Sequence, residues 1–139
     1  MAESEGGCLC GAVRYAFEGA PVFQVACHCR DCQYASGGGP ALIAVVPKPA
    51  FRITRGQPRT YWSKGDSGAD VGRSFCPECG APVFSEPKAI GEIVAVKVGS
   101  LDDPSAFRPQ ADIWMKSAQP WHQPHEGAAQ FETAPPRAG

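Results

Sequence analysis

Cys27-His28-Cys29-Arg30-Asp31-Cys32 places three thiols within six residues, and the reading of the whole chain turns on it. Two further pairs flank it, Cys8-Leu9-Cys10 and Cys76-Pro77-Glu78-Cys79. Thiolates at such spacings converge on soft metal ions, and seven of them suit two zinc ions as four plus three. A tetrahedral zinc with four protein sulfurs is closed and structural, whereas one with three keeps a coordination position for chemistry. The count predicts one zinc that holds the fold and one that works.

The outer pairs belong together. In an extended segment residues i and i+2 face the same side, so Cys8 and Cys10 are expected to present both sulfurs to one ion. Cys76-Pro77-Glu78-Cys79-Gly80 reads as a zinc knuckle, with two residues between the ligands. Gly80 and Gly11 follow their pairs and suit the positive φ of such turns. A shared ion would staple Cys10 to Cys76 across 66 residues. By analogy with zinc-finger peptides this would release on the order of 10 kcal/mol, a large part of a small domain's stability.

The middle group is different. Cys27 and Cys29 share a face, and Cys32 returns after two residues. His28 lies between two ligands, so in an extended segment it points away and is expected to be a structural imidazole behind the site. His122 and His125 are the remaining candidates to close the fourth position. If that position is open it favours a thiol substrate, because zinc deprotonates a coordinating thiol outright. Three anionic sulfurs also make the metal a poorer Lewis acid toward water than three imidazoles would. Sulfur chemistry suits the site better than hydrolysis.

Composition narrows the classes. At 139 residues the chain is one domain's worth. Its 16 glycines and 14 prolines favour short strands and turns over long helices. A formal charge of −1 gives no basic footprint for nucleic acid, and counting seven thiolates and two zinc ions lowers it to about −4. The N-terminus shows neither a basic cluster nor an apolar run, and no stretch is long enough for a membrane span. A cytoplasmic protein with no membrane partner is expected. There, cysteine clusters bind metal more often than they form disulfides, and an odd cysteine count leaves one over in any full disulfide scheme.

The apolar pattern is mostly period two, which predicts a mainly β fold of short antiparallel strands. Strands are expected over Val13–Phe17, Ala41–Val46, Phe51–Thr54, Thr60–Ser63, Pro82–Ser85, Ile93–Val98 and Asp112–Lys116. Ala41–Val46 is a continuous apolar run, as in a strand buried on both faces. Arg30–Ser36 is expected to form a short helix, Ser105–Phe107 another turn, and Ser63–Gly72 an exposed loop. Trp62, Trp114 and Trp121 are candidates to line a cleft, but large aromatics in a small β domain are usually core, and they are expected there. One domain over residues 5–131 and a frayed tail over 132–139 complete the organisation.

With these residues in view, the chain resembles the glutathione-dependent formaldehyde-activating enzyme family, which also includes the centromere protein V domain. The resemblance rests on Gly7-Cys8-Leu-Cys10-Gly11-Ala-Val-Arg-Tyr, on Cys27-His28-Cys29-Arg-Asp-Cys32 and on Phe51-Arg-Ile-Thr-Arg-Gly56. It continues through Arg73-Ser-Phe-Cys76-Pro-Glu-Cys79-Gly80 and Pro120-Trp121-His122. It implies a β-tent domain in which Cys8, Cys10, Cys76 and Cys79 hold a structural zinc. It implies that Cys27, Cys29 and Cys32 hold a second, catalytic zinc. The activity it implies is that of a carbon–sulfur lyase acting on S-hydroxymethylglutathione, the adduct of glutathione and formaldehyde. Glutathione's carboxylates would want cationic partners, for which Arg30, Lys64, Arg73 and Lys116 are candidates, with Gly37-Gly38-Gly39 open to a close backbone approach. The alternatives are a zinc-stabilised binding module without catalysis and a thiol redox or metal sensor.

Overall fold

The computed structural model describes residues 2–135. Along the described chain run β1 (Glu3–Gly7), β2 (Arg14–Glu18), β3 (Phe23–Cys27), α1 (Arg30–Ser36), β4 (Ala41–Pro47) and β5 (Phe51–Arg55). They are followed by β6 (Arg59–Lys64), β7 (Asp70–Phe75), β8 (Pro82–Pro87), β9 (Ile93–Lys97), β10 (Ala111–Ile113) and β11 (Ala129–Gln130). The mainly β expectation holds, and the helix forms where Arg30–Ser36 was read. Gly37, with φ 81°, ends it in the left-handed conformation that glycine adopts without strain.

Two sheets result, a small one in the order β1-β2-β5 and a large one in the order β11-β10-β3-β4-β9-β8-β7-β6. Pairing is antiparallel throughout except at β10, which runs parallel to both β3 and β11. β4 sits inside the large sheet between β3 and β9, which is why its sequence is apolar on successive residues. Ala44 and Val46 pack with Tyr15, Phe17, Val94 and Val96 in a core against the small sheet. Ala41 and Ile43 face the other way and pack with Val25, Cys27, Cys32 and Ala95. Cys8 and Cys76 belong to the first cluster, so the two cysteine groups are divided between the two faces of one sheet.

Several expectations are corrected. Ser63–Gly72 is not one loop: β6 and β7 pair from Arg59↔Phe75 to Lys64↔Asp70, leaving a five-residue connection turned by Gly68 at φ 86°. The hydrophilic composition of this hairpin reflects an outer edge, where side chains alternate without a core to bury them. β1, β3 and β11 also escape the apolar pattern, because β1 is rich in Glu and Gly, β3 is interrupted by Gln24 and β11 holds two residues. The last expected strand stops at Ile113, since Trp114 takes φ 59° and turns the chain into a short 3-10 helix over Met115–Ser117. Ser105–Phe107 is a simple turn closed by Phe107 N–H to Pro104 O. No tryptophan is buried; Trp121 is 67% exposed and Trp62 48%, while Tyr15 and Phe17 fill the core instead. At the C-terminal end, the carbonyls of Glu132 and Thr133 accept hydrogen bonds from Lys116 and Trp114. Residues 136–139 of the expected tail lie outside the described residues.

Candidate metal centres

The four-cysteine group is assembled by two turns. Cys8 and Cys10 do not lie in a strand as expected; they sit in a tight turn after β1, where Gly11 N–H bonds Cys8 O and Cys8 N–H bonds Val13 O. Gly11 has φ 82° and Gly80 φ 76°, so both post-cysteine glycines take the conformation anticipated for them. In the second turn Gly80 N–H donates to Cys76 O, and Cys76 N–H to Ala81 O. Cys10 Sγ stands 3.7 Å from both Cys8 Sγ and Cys76 Sγ. A regular tetrahedron with zinc–sulfur arms of about 2.3 Å has edges of about 3.8 Å. The four ligand atoms of Cys8, Cys10, Cys76 and Cys79 all lie within 4.8 Å of one another, so this cage is close to the size that zinc needs. Backbone N–H groups of Val13, Glu78 and Cys79 point at the sulfurs of Cys8 and Cys76. Similar hydrogen bonds from Ala81 and Cys10 pull Cys79 down to about 6. Such donors favour the thiolate that a metal needs.

The three-cysteine group forms where β3 runs into α1. Cys27 is the last residue of β3, Cys29 caps α1, and Cys32 lies in its first turn. Cys32 N–H donates to Cys29 Sγ at 3.3 Å. Their three sulfurs also lie within 4.8 Å of one another. Hydrogen bonds from Cys27 and Cys32 draw Cys29 down to about 2, helped by Cys32 N–H and the charge of Arg73. Bonding to Cys29 and Cys32, with burial, pushes Cys27 up. A metal bound here would displace the protons that these thiols carry.

None of the three histidines completes this group. His28 is fully buried and turned away, with Nε2 donating to Asp112 Oδ1 at 2.8 Å. Its Nδ1 meets Nδ1 of His122 at 3.2 Å. His122 Nε2 donates to Gly38 O at 2.8 Å, so the glycine run serves this histidine. His125 donates to Asp112 through both its backbone N–H and Nδ1. His122 Nδ1 also accepts the Gln119 N–H at 3.1 Å, so Asp112, Gly38 and Gln119 together fix the two rings in place. His28, Asp112 and His125 are close enough to suggest a third metal group, but their atoms already satisfy one another as donors and acceptor.

Asp112, Gln33 and Gln119 are the functional residues the sequence reading missed. Gln33 is buried and donates to the carbonyls of His28 and Ser117, and Gln119 donates to Gln33. With His28 N–H bonded to Ile113 O, the ligand segment is held from both sides. A signal did exist: Asp112 is an acid between Ala111 and Ile113 in a strand-like stretch, where a charge needs partners.

Burial would raise the Asp112 carboxyl, but hydrogen bonds from His28, His125 and Gln130 more than offset this and hold it down to about 2. A depressed acid stabilises the fold above its ordinary value of 3.8, and that stability is lost as pH falls through about 2. Asp112→Asn is expected to cost about 3 kcal/mol at neutral pH, because it removes the buried carboxylate that accepts from His28, His125 and Gln130. It should also flatten the acid limb of the stability profile, which denaturant titrations between pH 2 and pH 7 would read; an unchanged limb would assign it to other acids.

A cleft of about 620 Å³ lies beside the three-cysteine group, lined by Asp31, Tyr34, Tyr61, Arg73, Phe84 and Lys97 among others. A larger one of about 810 Å³ runs over Cys8 and Cys10 and shares Ala35, Pro82 and Lys97 with it. The smaller cleft is the better candidate for chemistry, since Asp31 stands between two of the clustered cysteines and Arg73 acts on Cys29. Of the cations read from sequence, only Arg73 lines it. Arg30 bonds Gln33 and lies over Tyr34, Lys64 pairs with Asp70, and Lys116 lies over Trp114.

Residues 3–117 match the family model described as glutathione-dependent formaldehyde-activating enzyme. The chain belongs to this family. No curated protein matches it. Three chains of solved structures match, and one is a crystal structure of a Rhodobacter sphaeroides protein. That neighbour is 23% identical, with a TM-score of 0.57, over 70% of this chain and 87% of its own. It supports the fold. As a member of the glutathione-dependent formaldehyde-activating enzyme family, the chain carries two cysteine groups that could bind zinc. Among the described residues no helix is long and apolar enough to cross a membrane.

Proposed function

We propose that the protein is a zinc-dependent enzyme of carbon–sulfur lyase type, acting on the adduct of glutathione and formaldehyde or a closely related thiol adduct. The observation that carries this reading is the three-cysteine group, which gathers three sulfurs while His28, His122 and His125 are all engaged elsewhere. Cys8, Cys10, Cys76 and Cys79 would hold a structural zinc, and Cys27, Cys29 and Cys32 a catalytic one. Bound there, zinc supplies a position at which a thiol is stabilised in its deprotonated form.

The chain's own residues supply the rest. The cleft's volume lies within the range of about 300–1,000 Å³ usual for small-molecule sites. It confines thiol and aldehyde together, and alignment is the main advantage needed for a reaction of this ease. In the cleaving direction the C–S electron pair goes to sulfur, the hydroxyl proton is lost, and formaldehyde leaves. In the other direction sulfur adds to the carbonyl carbon and the oxygen takes up a proton. His28, Gln33 and Asp112 position the ligand turn from behind and touch no substrate. A fourth protein ligand on the second metal would favour a binding module instead. Seven free thiols also support the expected cytoplasmic setting, where they stay reduced.

The test is zinc content together with X-ray absorption of the sulfur shell, with and without glutathione. The average should rise from about 3.5 toward about 4 sulfurs per zinc. A shell that is already complete without glutathione, or that ignores it, refutes the proposal.

A further inference from the structure

We propose that Lys97 and Arg73 form a charge-balancing pair that lets a fourth, anionic sulfur join the Cys27–Cys29–Cys32 group. The inference rests on the function proposed above and concerns how a thiolate can enter that site at all. Three thiolates and a divalent ion carry a net charge of −1, and a fourth thiolate makes it −2. An uncompensated charge in a half-buried site is costly. Two cations beside the group remove that cost.

The sheet register brings both cations to the correct face. Cross-strand partners share a face, and Tyr61, Arg73, Ser85 and Ala95 are successive partners across β6, β7, β8 and β9. Lys97 lies two residues beyond Ala95 and pairs with Ile43 of β4. Ile43 and Ala41 flank Cys27 in the apolar cluster on this side. The face that bears the three sulfurs therefore also bears Lys97 and Arg73, and both line the cleft.

Lys97 is also unlike the other lysines. Lys48 and Lys64 pair with carboxylates, Lys88 pairs with Glu86 and lies over Trp62, and Lys116 lies over Trp114. The Lys97 ammonium has no hydrogen bond or carboxylate partner among the described residues. Burial lowers its pKa, and the negative charge acting on it comes from Cys32, Cys27 and Cys29. Arg73 donates to Ser63 and stands 3.9 Å from Asp31, inside the ligand segment. A half-buried cation with no carboxylate partner among the described residues, on the sheet face that carries the three sulfurs, matches the excess charge that an incoming thiolate would bring.

Cobalt-loaded protein tests the pair, because sulfur–cobalt absorption reports thiol binding without turnover. Wild type, Lys97→Met, Arg73→Gln and Lys97→Arg are each titrated with glutathione and with 2-mercaptoethanol, which lacks carboxylates. Each charge-removing variant should bind both thiols on the order of tenfold more weakly, and Lys97→Arg should recover most of the affinity. Circular dichroism and cobalt content confirm that each variant is folded and loaded, and the two substitutions sit on different strands. Weakened glutathione binding with unchanged 2-mercaptoethanol binding would make the pair a carboxylate clamp and overturn charge balancing. Unchanged affinity for both thiols overturns it as well. Either result leaves the proposed function standing, whereas a wild-type protein whose spectrum ignores both thiols sinks the two together.

Discussion

Cys76→Ser is expected to unfold the domain. Cys76 is fully buried in the core shared by the two sheets. Its sulfur accepts backbone N–H groups from Glu78 and Cys79 and stands 3.7 Å from Cys10. The cage joins the turn after β1 to the turn between β7 and β8, two segments with no strand pairing between them. Losing a structural zinc forfeits on the order of 10 kcal/mol, against a total stability of about 5–15 kcal/mol for an ordinary domain. It also leaves Cys8, Cys10 and Cys79 crowded together without their ion, Cys8 buried and Cys79 half-buried. The melting temperature should fall by about 20 °C or more, with zinc lost on purification. A variant that melts like the wild type would remove the structural role from this group.

Cys29→Ser should do the opposite: abolish the reaction and spare the fold. Cys29 caps α1, and its sulfur accepts Cys32 N–H. Serine is among the best residues at that position, so the cap survives the substitution. The surrounding anchors are also untouched, since the side chains of Gln33 and Asp112 hold His28, and the Gln33 N–H bonds the Cys29 carbonyl, which serine keeps. A two-sulfur remnant would bind zinc weakly, and formation of the glutathione–formaldehyde adduct should fall by on the order of a thousandfold. Zinc content should drop from about two ions per chain to about one, with the thermal transition within a few degrees of wild type. If Cys29→Ser unfolded as Cys76→Ser does, the division between a holding metal and a working metal would be wrong.

The contrast between these variants follows from the large sheet. β4 carries alternate residues to opposite faces, so Ala44 and Val46 enclose the four-cysteine side while Ala41 and Ile43 floor the three-cysteine side. The four-cysteine group is anchored through Cys8 and Cys76 in the core between the two sheets, with Cys10 exposed, whereas the three-cysteine group lies on the other face where β3 meets α1.

Some of this was legible in the chain itself, and for clear reasons. Cysteine spacing is local, so which thiols group together could be read directly. The glycines after Cys10 and Cys79 announced their positive φ because only that backbone lets a knuckle turn. β4 and β9 were legible because burial on two faces demands uninterrupted apolar residues, and the direction of His28 followed from alternation alone. What lay beyond reach depends on pairings between distant segments. The β6–β7 hairpin is polar because it lies at an edge, a fact that no local pattern contains. Asp112 meets His28 across 84 residues, and the histidine partnership spans 94. Lys97 reads as the polar end of an apolar strand until the register across β4 turns it toward the three sulfurs. The sequence determined which atoms could bind metal, since donor chemistry belongs to each residue. Only the tertiary structure decided which cations and histidines stand near them, because strand order and register bring distant residues together.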